Sequence, residues 1–166
     1  DILTWTENSL ETYFTTGVAL TSGEDYFVSV RATDGAGNVS NISTSNGITI
    51  DAVDPVVSDV VEGDLNTDQD YQQSGSSLVI AWGGSDDLRT FRNTRELSSY
   101  EVSLGTASGN YDVVDWVDAG NVNNYEFTGI ELQESSTYFA SVKALDQAGN
   151  ESVVVTGDGI TIDQSG

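Results

Sequence analysis

Carboxylates are the residues best placed to do chemistry in this chain. Their densest set is Asp64-x-Asn66-x-Asp68-x-Asp70, with an oxygen-bearing side chain at every second position. Alternating oxygens are how calcium loops collect ligands around a hard cation. The likeness to an EF-hand ends quickly. Gln69 takes the position where that loop needs glycine, and Gly75 stands where a bidentate glutamate would close the shell. Two readings stay open: a simpler hard-cation loop, and a solvated acidic loop without a ligand. A second set is Asp51 and Asp54, with Asp34 or Glu62 as further donors. Calcium at a boundary between domains neutralises clustered carboxylates that otherwise repel one another. Aspartates beside Pro55 also cap turns, and that is the stronger of the two readings. Calcium is the one cofactor these patterns suggest.

The composition around these carboxylates excludes much other chemistry. The 166 residues include no Cys and no His, so Ser-His-Asp and Cys-His nucleophile arrangements, disulfides and zinc sites built on Cys or His are all ruled out. Two-carboxylate acid–base catalysis stays open by composition. No such pair is recognisable, and the chain is expected not to be an enzyme. Twenty-seven Asp and Glu against five Lys and Arg give a net charge of −22. That surface repels phosphates and anionic membranes, so nucleic acid is not an expected partner. No run of 18 apolar residues exists, and membrane insertion is not expected either. The acidity reads first as solubility or a saline habitat, and second as cation binding. Arg89, Arg92 and Arg95, with Phe91 among them, form a candidate binding loop in DDLRTFRNTRE. Charge balance against Asp86, Asp87 and Glu96 is the preferred reading there. Trp5, Trp82 and Trp116 invite carbohydrate stacking, although Trp82 fits a core position better.

The elements that must position these groups announce themselves by repetition. Tyr26 to Asp51 is written again as Tyr138 to Asp163, with Tyr, Asp, Gly and Asp landmarks all 112 positions apart. A fixed offset over such a stretch is an internal repeat. DILTW at residues 1 to 5 returns as DVVDW at 112 to 116, here at an offset of 111. Within the repeat, Tyr26, Val28, Val30 and Ala32 alternate with Phe27, Ser29, Arg31 and Thr33, which is the period of a half-buried strand. Asp34-Gly35-Ala36-Gly37-Asn38 supplies a hairpin turn. Residues 1 to 25 read as short strands. Val56 to Val61, Leu78 to Trp82, Tyr100 to Leu104, Tyr111 to Trp116, Tyr125 to Phe127 and Thr137 to Leu145 read as further strands, and no stretch sustains a helical period. About seven strands in roughly 100 residues predict a Greek-key β-sandwich.

Leu-x5-Tyr-x3-Val-x-Ala occurs twice, as Leu20, Tyr26, Val30, Ala32 and as Leu132, Tyr138, Val142, Ala144. Together with Leu78-x-Ile80-x-Trp82, the Asp-x-Ala-Gly-Asn turn and the Gly-Ile-Thr-Ile-Asp ending, this resembles the fibronectin type III family, in the form found as tandem arrays in large secreted bacterial proteins. The resemblance implies that Tyr26 and Tyr138 bond their hydroxyls to nearby backbone as tyrosine corners, and that Trp82 sits in the core. It implies an all-β fold with three parts. Residues 1–51 are the C-terminal half of one fibronectin type III-like repeat, 52–163 a complete repeat, and 164–166 the start of a linker. Residue 1 is then expected to be a cut through an array, with completion by strands of another chain as the rival explanation.

The expected role is that of a non-catalytic structural and adhesive segment of a repetitive extracellular bacterial surface protein or filament. Its partners would be neighbouring repeats, other copies in a filament, and a glycan or cell-surface ligand. The alternative is an accessory spacer or carbohydrate-binding module of a secreted polysaccharide-degrading enzyme. The fold alone does not choose between them.

Overall fold

A computed structural model of the chain describes residues 2–64, 67–85 and 97–165. Asn66 and the candidate loop of Arg89, Phe91, Arg92 and Arg95 lie outside the described residues. The chain divides into two compact units, Asp1–Asp51 and Ala52–Gly166.

The described residues of the first unit form four two-residue strands: β1 (Asp25–Tyr26), β2 (Ser29–Val30), β3 (Ser43–Thr44) and β4 (Ile48–Thr49). β1 pairs antiparallel with β4 and β2 with β3. Between β2 and β3, Asp34 closes the predicted turn, its Oδ1 accepting the N–H groups of Ala36 and Asn38 at 2.9 Å each. No described residue of this unit is buried.

The second unit is a two-sheet sandwich. Its strands are β5 (Val56–Asp64), β6 (Thr67–Asp68), β7 (Tyr71–Gln72), β8 (Ser77–Ser85), β9 (Leu97–Gly105), β10 (Val114–Gly120), β11 (Asn124–Thr128), β12 (Thr137–Asp146), β13 (Val155–Thr156) and β14 (Ile160–Ile162). One sheet runs β11-β8-β5-β6, and the other runs β10-β9-β12-β14-β7, with β13 also paired to β12. The chain crosses between sheets from β8 to β9, from β10 to β11 and from β11 to β12, a Greek-key path. This is the all-β sandwich that the fibronectin type III resemblance implies. The period-two pattern explains the packing. In β12, Tyr138, Ala140, Val142 and Ala144 face inward, against Leu78, Ile80 and Trp82 of β8 and Tyr100, Val102 and Leu104 of β9. Trp82 is fully buried and meets the Tyr100 ring edge-on, with centroids 5.4 Å apart.

One sequence expectation needs correcting. Residues 2–24 contain no strand, although they read as short strands. Their counterparts in the second unit do pair, β10 on β9 and β11 on β8. Among the described residues of the first unit, no strand stands where β8 and β9 stand in the second. A strand needs a partner for its backbone N–H and C=O groups, and apolar alternation alone does not supply one.

Candidate functional site

The most unusual chemistry in the second unit begins with a slip in β5. Asp59 adopts a φ of 51°, and the β5–β8 register shifts between Ser58 and Val61. An extra residue in one strand reverses which side chains face the core beyond it. Val57 is buried before the bulge, and Val60 and Glu62 are buried after it. In an unbroken strand Val57, Asp59 and Val61 would share the inner face and Glu62 would meet water. The bulge therefore drives a carboxylate into the sandwich.

Glu62 arrives where the opposite sheet has a gap. β12 pairs with β14 through Thr137 and Tyr138, and with β13 through Ser141 and Val142. Between those pairings, the Ala140 carbonyl accepts the Gly157 N–H at 3.0 Å, while the Ala140 N–H donates to Glu62 Oε1 at 3.1 Å. The carboxylate fits because residue 157 is glycine: a Cβ there would stand 2.5 and 2.6 Å from the two Glu62 oxygens. Oε2 of Glu62 is buried, and no donor meets it with hydrogen-bond geometry.

Two more carboxylates stand beside it. Asp68, on β6, accepts the Glu62 N–H through Oδ1 at 3.2 Å. Asp158 sits in the Gly157-Asp158-Gly159 turn between β13 and β14, where Gly159 at φ 97° lies under the Phe139 ring. One oxygen from each of Glu62, Asp68 and Asp158 lies within 4.8 Å of the other two. Glu62 is fully buried, and both aspartates are exposed. Burial pushes the Glu62 carboxyl above the ordinary glutamate range. The N–H groups of Ala140 and Gly159 oppose this, and the charges of Asp68 and Asp158 add to it. Among the described residues, the salt-bridged base is Lys143, held by Glu101 at 2.7 Å and Glu151 at 3.3 Å. Among the described residues, no base is bridged to the trio.

Of the residues singled out in the sequence, the structure brings Asp68 of the first set and Glu62, a further donor of the second, into this trio. Asp64 ends β5. Asp70 is exposed, and its carbonyl accepts the Thr161 N–H at 2.8 Å. Asp54 is exposed, Asp51 is half-buried, and neither joins a carboxylate trio among the described residues. The hydroxyl of Tyr138 accepts the Gln133 N–H, and that of Tyr26 the Thr21 N–H, both at 2.8 Å. The tryptophans outside the core carry cations: Arg31 lies 4.3 Å from the Trp5 ring centroid and Lys143 lies 5.4 Å from that of Trp116.

Asp158 was missed by sequence reasoning, and Glu62 appeared there only as a supplementary donor to Asp51 and Asp54. A signal for both existed. At the 112-residue offset, Ser45-Asn46 of the first copy becomes Gly157-Asp158 of the second. That change removes a side chain and adds a charge within one turn.

No protein-family model and no curated protein matches the chain. Among solved structures it is similar to an α-L-rhamnosidase from Dictyoglumus thermophilum, at 19% identity and a TM-score of 0.44, over 66% of this chain and 12% of that one. It is also similar to the chicken CNTN1 FN1-FN3 domains, at 16% identity and a TM-score of 0.46, over 86% of this chain and 44% of that one. A human fibronectin type III domain derived from the KIAA0970 protein is similar at 18% identity and a TM-score of 0.37, over 69% and 74% of the two chains. The chain spans less than half the length of either of the first two.

Proposed function

We propose that this chain is a non-catalytic structural and adhesive segment of a repetitive extracellular bacterial surface protein or filament. Residues 1–51 would be the closing half of one repeat and 52–163 a whole one. The observation that carries this reading is the recurrence of one hydrogen-bond pattern at a fixed offset. The Tyr26 and Tyr138 corners, the Asp34 and Asp146 turns, and the Ser40 and Ser152 hydroxyls that accept the Ala32 and Ala144 N–H groups all lie 112 positions apart. A unit reproduced down to its turn hydrogen bonds is how solenoids and arrays extend a molecule, each repeat adding length with the same local chemistry. The junction Asp51 to Pro55 is short, and proline limits its flexing. The charge of −22 keeps such arrays apart in solution. Neighbouring repeats are the first partners, and a glycan or cell-surface ligand is met elsewhere along the array.

An antibody raised against the chain tests the proposal on source cells. Staining of intact cells, together with loss of adhesion when the antibody or the soluble chain is added, is the expected result. Co-purification from culture fluid with a polysaccharide-hydrolysing activity, without surface staining, would overturn it in favour of an accessory module of a secreted enzyme.

A further inference from the structure

We propose that Glu62, Asp68 and Asp158 form a calcium-type divalent-cation site that joins the two sheets of the second unit. Three features of the molecule lead there independently of its role in any array.

The first is the donor set. Three carboxylates converge with one oxygen each inside 4.8 Å. Two Ca–O bonds of about 2.3–2.6 Å placed back to back span about the same distance, so one ion reaches all three without rearrangement. All donors are hard oxygens, which selects alkaline-earth ions over softer metals.

The second is the buried, unsatisfied oxygen. Glu62 is fully buried, Oε1 already serves the Ala140 N–H, and no donor, the nearby Gly159 N–H included, meets Oε2 with hydrogen-bond geometry. A buried acceptor without a partner costs free energy, and two further carboxylates at its side raise that cost. A cation supplies the missing partner and reverses the sign of the local repulsion.

The third is the natural control inside the chain. The equivalent of Ala140 in the first unit is Val28, whose N–H is satisfied at 3.0 Å by Ser45 Oγ from the equivalent turn. The second unit has no hydroxyl there, Gly157 leaving the space that Glu62 fills, and it carries Asp158 where the first has Asn46. Satisfying one backbone N–H needs neither a buried carboxylate nor a second acid beside it. The exchange makes sense as construction of a charged site.

The location gives the ion a structural role. Glu62 and Asp68 belong to β5 and β6 of one sheet, while Asp158 belongs to the turn that leads into β14 of the other. A shared ion would tie the first strand of the sandwich to its last.

The test uses the whole chain, stripped of metal and titrated with Ca²⁺ by calorimetry and by thermal melting, with NaCl of matched ionic strength as reference. Saturable binding and a rise of the second unit's melting temperature with Ca²⁺ are expected, since a ligand of the folded state stabilises by mass action. Glu62→Gln and Asp158→Asn should each weaken Ca²⁺ binding by about tenfold or more. Asp158 is exposed, so its variant keeps the fold. The Asp51→Asn/Asp54→Asn double variant should bind as the parent does. A parent chain that responds to Ca²⁺ no more than to NaCl would overturn the proposal, as would an Asp158→Asn chain that keeps the full response.

Discussion

Two turns 112 positions apart, Ser45-Asn46-Gly47 and Gly157-Asp158-Gly159, close the same pair of strands in very different surroundings. Around them the local bonding is nearly superposable. β1 and β4 pair Asp25 with Thr49 and Tyr26 with Ile48, and β12 and β14 pair Thr137 with Thr161 and Tyr138 with Ile160. Ser29 meets Thr44, and Ser141 meets Thr156, through hydroxyls 2.8 Å apart in both copies. Phe27 lies over Gly47 as Phe139 lies over Gly159. Burial is what differs. Val28, Val30 and Ile48 are exposed by about 60%, whereas Ala140, Val142 and Ile160 are at 0%. Short-range sequence therefore writes turns, corners and register. The several kcal/mol of apolar burial, at about 1.5–3 kcal/mol per large side chain, come from β5, β8 and β9.

Three matched pairs of substitutions and one single variant break or sharpen that contrast. Trp82→Ala should have the largest effect, lowering the stability of the second unit by about 3–5 kcal/mol in urea denaturation followed by circular dichroism. Trp5→Ala, at an exposed site, should leave that transition within about 0.5 kcal/mol. Equal effects of the two would mean that the units share one core. Exchanging the turns comes next. Gly157→Ser forces a Cβ onto the Glu62 carboxylate and should cost about 1–3 kcal/mol. Ser45→Gly should cost less than about 1 kcal/mol and speed exchange of the Val28 amide with solvent.

The tyrosines give a smaller contrast. Tyr138→Phe removes the acceptor for the Gln133 N–H and should cost about 1 kcal/mol. Tyr26→Phe should leave the main unfolding transition where it is and appear only as faster Thr21 amide exchange. The smallest effect is electrostatic. Asp34 is held below the ordinary aspartate range, first by the Asn38 side chain, then by the Asn38 N–H and others in the turn. A depressed folded pKa means that this contribution is complete above the unfolded value, at about pH 4, and is lost as pH falls through the folded one. Asn38→Ala should move the Asp34 carboxyl upward in an NMR titration. An unmoved titration would show that the turn's backbone alone holds the charge.

How much of this was legible beforehand follows the same division. The alternation in Tyr138 to Ala144 and in Leu78 to Trp82 identified inward faces correctly, because both strands are regular and packed on one side. The strand reading of residues 2–24 failed because pairing depends on partners that no local pattern can reveal. The acidic segment was noticed for its spacing around Asp64 to Asp70, yet the trio uses Asp68 with Glu62 and Asp158, the latter 90 positions beyond Asp68. Nothing in Val56 to Asp64 announces a bulge at Asp59, and without the bulge Glu62 would read as one more surface charge. The comparison of Ser45-Asn46 with Gly157-Asp158 was available all along, but a difference between two copies carries meaning only once the packing beside each is known.

The two-residue strand β7 has a further consequence. It lies parallel on the outer side of β14, pairing Tyr71 with Thr161 and Gln72 with Ile162, and its surroundings take up the Thr161 and Asp163 N–H groups. Gly-Ile-Thr-Ile-Asp occurs twice in the chain, so any strand that accepts one copy can accept the other. Nascent chains with near-identical neighbours are prone to exchange strands and aggregate. By occupying that edge, β7 keeps the outer backbone groups of β14 paired, so a neighbouring strand would have to displace it before adding there.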